Sequence, residues 1–181
     1  MNVAAIAKTP EAALSAADHV LGSAHAKLTL LEYGDYESPV CIQTEPLLQQ
    51  LLNAHHGRLR LVYRHFPSPL HRLAEVAAEA AEAAAAQGQF WPMHHLLMAQ
   101  RHHLATSALA GYAAAIGLDM LRFNAEMADR IYTQRVQEHR RAAERSGLHT
   151  TPAFWLNGQA VDASLGFAQV VAAVDAALQA A

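Results

Sequence analysis

From Leu28 to Tyr33 the chain runs through an apolar stretch rich in β-formers, LTLLEY, and then meets the turn-forming residues Gly34-Asp35-Tyr36-Glu37. Beyond the turn the spacing becomes helical, from Pro39 to about Leu52. Ser38 marks that helix start, because its side chain accepts a hydrogen bond from a free amide of the first turn. Pro39 suits the first helical position, where its missing N–H costs nothing. Gly57 ends the helix, and the alternation in Leu59-Arg60-Leu61-Val62-Tyr63-Arg64 predicts a second strand, closed by Pro67 and Pro69. Strand, helix and strand in that order predict a βαβ unit with parallel strands and a right-handed crossover.

From His71 to about Ser146 the pattern is helical almost throughout. LAEVAAEAAEAAAAQ is dense in strong helix formers and ends at Gly88. Phe90, Met93, Leu97 and Met98 recur at helical spacing, and Thr106-Ser107 opens a helix that stops at Gly117. Asp119 caps the next, which carries Met120, Phe123 and Met127 on one side, and a polar, Arg-rich helix runs from Ile131 to Ser146. Phe154 to Leu156 then reads as a strand, Asn157-Gly158 as a hairpin turn, Ala160-Val161 as its partner strand, and Phe167 to Leu178 as a terminal helix. Ahead of all this, residues 1–26 form an Ala-rich lead-in with a helix start at Thr9-Pro10-Glu11 and a break at Gly22-Ser23. The expected organisation is one α/β domain over 1–181, made of a βαβ half (1–70), a helical insertion (71–147) and a ββα half (148–181).

Composition narrows the function classes. The formal charge is −3 with no basic cluster, which argues against nucleic acid as a partner. No run approaches the ~18 apolar residues of a membrane span. MNVAAIAKTPEAA lacks the basic start and apolar core of a secretory leader, so a cytoplasmic location is expected, or a periplasmic one if a leader was removed. A single cysteine, Cys41, excludes an intrachain disulfide. It falls in the first turn of the helix after the first strand, where the helix dipole and free amides favour a thiolate over a thiol. The competing reading is a small buried hydrophobe.

The segment EYGDYESPVC resembles the active-site segment of the DsbA-like branch of the thioredoxin superfamily, where Cys-Pro-x-Cys is usual. Thr151-Pro152 ahead of a strand is the second piece of the resemblance, and the whole spans roughly residues 18 to 178. It implies a thioredoxin fold, βαβ then ββα, with a multi-helix insertion between the halves. It implies also that Pro152 is cis beside the sulfur, so that Thr151 turns its backbone outward to pair with an extended peptide or glutathione. From the residues alone, a trans proline opening an edge strand is the other reading. Pro39 and Val40 complete the expected substrate-binding set with Thr151 and Pro152.

In this chain Ser38 stands at the first cysteine position and only Cys41 remains, in what the resemblance implies is the recessed, resolving position. Ser38 has three readings. It is a helix cap without a redox role, or a hydroxyl that donates to a bound thiolate as in the kappa-class glutathione transferases and chromene-carboxylate isomerases, or a Cys→Ser substitution in an active oxidoreductase. Glu32 matches an acidic residue behind the DsbA active site. If buried it has a raised pKa and can pass a proton to Cys41; if exposed it is a charge at a strand end. Twelve histidines raise the question of a metal, but His94-His95 and His102-His103 show no motif with ligand spacing. A solvated helical face is expected there, and no metal centre. Packing is expected of His65 and Phe66, and core or groove-wall roles of Phe90, Trp91 and Trp155.

The expected function is that of a DsbA-like thiol–disulfide oxidoreductase family protein, acting on protein or small-molecule thiols but unable to perform ordinary dithiol exchange. No bound cofactor is expected, and glutathione is a candidate co-substrate. The alternatives are a kappa-like glutathione-dependent transferase or isomerase, a redox-inactive peptide-binding module, and the Cys→Ser variant of an active enzyme.

Overall fold

A computed structural model describes residues 14, 15, 17–100 and 103–180; the lead-in helix start at Thr9-Pro10-Glu11 and His102 lie outside them. Three strands form the sheet's centre: β2 (Leu28–Gly34), β3 (Leu59–His65) and β4 (Ala153–Leu156). β2 pairs parallel with β3 and antiparallel with β4, and β5 (Gln159–Val161) adds to β4. The predicted crossover is α1 (Pro39–Ala54). An additional edge strand, β1 (His19–Leu21), lies antiparallel to β3 and gives the order β1-β3-β2-β4-β5. Sequence reasoning left this segment in the lead-in. Three residues are too short to show alternation, and β1 exists through its pairing with β3.

Local signals set most boundaries. Asp119 caps α5 (Met120–Ala128) by accepting from the amides of Leu121 and Arg122. Asn157 and Gly158 both have positive φ, 47° and 82°, as a type I′ hairpin turn requires. Gly34 ends β2 where only a glycine fits, because a Cβ there would stand 2.5 Å from the Tyr63 ring.

Two apolar layers sandwich the sheet. Leu28, Leu30, Leu59 and Leu61 on one face pack with Leu48 and Leu51 of α1 and with Val170 and Val174 of α7 (Ala168–Gln179). Tyr33, Val62 and Trp155 on the other face pack against Ala143 of α6 (Thr133–Arg145). The insertion between the halves comprises α2 (Ala74–Ala85), α3 (Phe90–Ala99), α4 (Thr106–Ala115), α5 and α6. Its core of small α2 alanines, Met93, Leu97 and Phe123 extends to Tyr36, Tyr63 and Cys41. The insertion therefore forms a lid over the end of the sheet that presents α1. That contact decides the chemistry of the one thiol.

Candidate functional site

The β2–α1 turn is held by Asp35. Its side chain accepts from the amides of Glu37 and Ser68 and lies 2.7 Å from His71 Nδ1, while its carbonyl accepts from the amide of Ser38. Ser38 is extended, and its Oγ accepts from the Cys41 amide at 3.4 Å, the cap expected from the sequence. Pro39 takes the first helical position. The Asp35–His71 contact was not anticipated, since His71 comes from beyond β3.

Cys41 is 0 % exposed. Burial, seconded by the nearby Glu32 charge, pushes its thiol up to about 12, against the pull of hydrogen bonds from Ser38, Asp35 and Thr151. Of the two readings of Cys41, this burial favours the small buried hydrophobe over the helix-tip thiolate. The dipole effect is worth about 1 kcal/mol, and desolvation by the insertion core exceeds it. Alkylation of Cys41 in the native protein is expected to stay negligible up to about pH 10 and to complete on unfolding. A native labelling midpoint below the free thiol's ~8.5 would contradict this.

Glu32 shares the sheet face of Leu28 and Leu30, beneath α1, as strand alternation dictates. It is 1 % exposed, and neither carboxylate oxygen has a hydrogen-bond partner among the described residues; nor has the Tyr63 hydroxyl. Burial, reinforced by the charge of Glu45, raises its pKa well above the usual carboxylate value. Of the two readings of Glu32, this arrangement meets the condition for the proton-passing one: a buried acid that holds its proton, electrostatically coupled to Cys41.

The Thr151–Pro152 peptide bond is cis. Pro152, Thr151, Thr44 and Val40 line a cleft of about 300 Å³, walled on the far side by Phe167 and Asp162. Val40 is 54 % exposed, and Thr151 and Pro152 are half-buried. The β2–β4 pairing begins at Ala153 opposite Tyr33, so Thr151 lies beyond the last paired rung. Pro39, expected in the substrate-binding set, is exposed but does not line this cleft. A larger cavity, about 700 Å³, opens among Ser68, Glu79, Phe123 and Arg130 in the insertion. It shares no residue with the cleft beside Cys41, and the smaller cleft is the one in register with the chemistry.

The histidines depart from expectation. His94 is fully buried, and its Nδ1 stands 3.0 Å from the Tyr36 hydroxyl. Its Nε2 and the Nδ1 of half-exposed His95 face the two oxygens of Glu45. Burial works to raise the Glu45 carboxyl, but hydrogen bonds from His94 and His95 outweigh it and hold it well below the usual range. The expectation of a solvated face is thus corrected at His94: helical spacing places it inward, and α1 and Tyr36 supply partners the sequence pattern does not reveal. His103 is exposed. His65, expected only to pack, is buried and lies 3.0 Å from Glu82, which also meets His19 and Arg135.

A family model described as thioredoxin matches residues 14–176. A thioredoxin-like oxidoreductase from Silicibacter pomeroyi DSS-3 is 30 % identical, superposes with a TM-score of 0.78, and the match covers 91 % of this chain and 94 % of that one. BdbD from Bacillus subtilis, at 16 % identity, has the same fold, with a TM-score of 0.80 over 88 % and 92 % of the two chains. A protein of Salinispora arenicola named Na(+)/H(+) antiporter NhaA 1 is 43 % identical over 161 residues, which cover 88 % of this chain but 24 % of that protein. The chain thus spans about a quarter of the length of that curated relative. Among the described residues no helix is long and apolar enough to cross a membrane.

Proposed function

Because the chain belongs to the thioredoxin family, we propose that its cleft beside Pro152 engages thiol-bearing peptides or glutathione without performing ordinary dithiol exchange. The observation that carries this reading is the contrast between a sealed sulfur, 0 % exposed at Cys41, and an open rim, 54 % exposed at Val40. Exchange needs an attacking thiolate and a second thiol to resolve the mixed disulfide. Here one thiol is present, raised to about 12 by burial and by the charge of Glu32.

Binding has what it needs. An extended ligand pairs with the outward backbone at Thr151 as an added strand, and its side chains meet Val40 and Pro152. Ser38 accepts from the Cys41 amide, and its O–H, which also reaches the Cys41 thiol, is the group that would turn to donate to a ligand thiolate. A serine hydroxyl without an adjacent base is no nucleophile, so its role is to orient. The kappa-like transferase reading rests on the same donor at the tip of α1. The cytoplasm, with glutathione at hand, is the compartment this proposal favours.

Calorimetric titration with glutathione, and with an extended cysteine-containing peptide, tests the reading. Saturable binding is expected, weakened about tenfold by Val40→Asp, which places a charge on the apolar rim. No binding of either ligand at millimolar concentration overturns it.

A further inference from the structure

A cluster outside the cleft carries a second assignment. We propose that Glu45 of α1 with His94 and His95 of α3 forms a binding site for one divalent transition-metal ion of the zinc class.

The donor atoms converge from two helices. His94 Nε2 lies 3.4 Å from Glu45 Oε2, and His95 Nδ1 lies 3.1 Å from Glu45 Oε1. A ligand atom from each of the three residues falls within 4.8 Å of the others. Charge-assisted hydrogen bonds are shorter, about 2.7–2.9 Å. Each spacing is close to the edge of a tetrahedron with metal–ligand bonds of ~2.0–2.1 Å, about 3.3 Å, although the two run to different oxygens of the one carboxylate. Two imidazoles and one carboxylate are borderline donors, suited to zinc, cobalt or nickel rather than to calcium or magnesium.

The surroundings orient the ligands. The Tyr36 hydroxyl stands 3.0 Å from His94 Nδ1; with an ion on Nε2 in place of the proton shared with Glu45, the ring would carry its proton on Nδ1 and donate it to that hydroxyl. Gln49 Nε2 donates to Glu45 Oε1 at 3.0 Å, fixing the carboxylate from one turn further along α1. Trp91 packs edge-on against His94 and forms an apolar wall. The His95 side chain is 41 % exposed, which gives an ion its entrance and leaves a coordination position for water.

The other His-His-Glu group among the described residues shows what a purely structural cluster looks like. His19 and His65 both contact the same oxygen of Glu82, at 2.9 and 3.0 Å. Arg135 Nε contacts the other oxygen at 2.8 Å, so that carboxylate already holds a permanent cation. Among the described residues Glu45 is paired with the two histidines and Gln49, and no arginine takes that place.

The test is equilibrium dialysis of the intact protein against Zn²⁺ alone, followed by metal analysis. One equivalent is expected to bind with a dissociation constant of about 1 µM or tighter. His95→Ala removes a half-exposed ligand without opening the core, and should weaken binding at least about a hundredfold, the upper end of what losing an outer-sphere partner costs. His56→Ala, at an exposed histidine outside the site, should change nothing. Co²⁺ should give the intense visible bands of a four-coordinate site in the parent protein and not in His95→Ala. Failure to bind an equivalent, or a loss under tenfold in His95→Ala, overturns the assignment and leaves only adventitious binding to other histidines. Neither outcome bears on the cleft, whose ligand titrations involve none of these residues.

Discussion

Ser38→Cys is expected to convert the protein into a dithiol oxidoreductase, raising insulin reduction by at least about a hundredfold over the parent. The parent's rate should be indistinguishable from that of buffer. The introduced thiol stands at the N-cap of α1, where free amides and the helix dipole lower a thiol's pKa. That position is 4 % exposed against 0 % at Cys41, so the new group becomes the attacking thiol and Cys41 the resolving one. The reaction then balances within the chain. The attacking thiolate breaks the substrate disulfide and forms a mixed disulfide, and Cys41 displaces it to leave a reduced substrate and an intrachain disulfide. Gain of activity would mean that Glu32, Cys41 and Pro152 form an intact scaffold lacking only its nucleophile. A folded variant with no activity would mean that the scaffold has been rebuilt for binding alone, and would remove the reading of Ser38 as a Cys→Ser substitution in an active enzyme.

Glu32→Gln is expected to stabilise the protein at pH 8 and to flatten its pH dependence of unfolding. Glu32 is buried with both oxygens unpartnered among the described residues, and burial and the charge of Glu45 raise its pKa. The folded state therefore holds this proton to higher pH than the unfolded chain, whose glutamate titrates near the ordinary value of about 4.3. Below that value the residue is neutral in both states and contributes no pH dependence. As pH rises past it, the unfolded state alone ionises, and stability falls until the folded pKa is passed. Glu45 runs the opposite way, because its lowered pKa gives stability above the unfolded value that is lost in acid. Subtracting the variant's urea-unfolding profile from the parent's isolates Glu32. Parallel profiles from pH 4 to about 9 would mean that Glu32 is not a buried, strained acid.

Legibility from sequence followed the reach of each signal. The start of α1 at Ser38-Pro39, the cap at Asp119 and the Asn157-Gly158 turn were all readable, because each depends on residues within a few positions of one another. The two halves of the fold followed from alternation and helical spacing in long elements. β1 escaped notice because its three residues are a strand only against β3. His94 escaped because its partners, Tyr36 and Glu45, lie 58 and 49 residues away in the chain. The face chosen by Glu32 could not be carried across a turn by counting.

The sequence by itself determined that one sulfur would sit in the first turn of a capped helix, that no second thiol could resolve it, and that a Thr-Pro step would precede a late strand. These are matters of residue type and near spacing. Tertiary structure alone decided how that sulfur behaves. A helix tip favours the thiolate, yet the insertion packs Cys41 out of solvent above a buried Glu32, and removing water from a charge outweighs what a few aligned amides return. The same folding brought Glu45 beneath His94 and His95. Desolvation and long-range convergence depend on which surfaces meet, and only the packed chain specifies that.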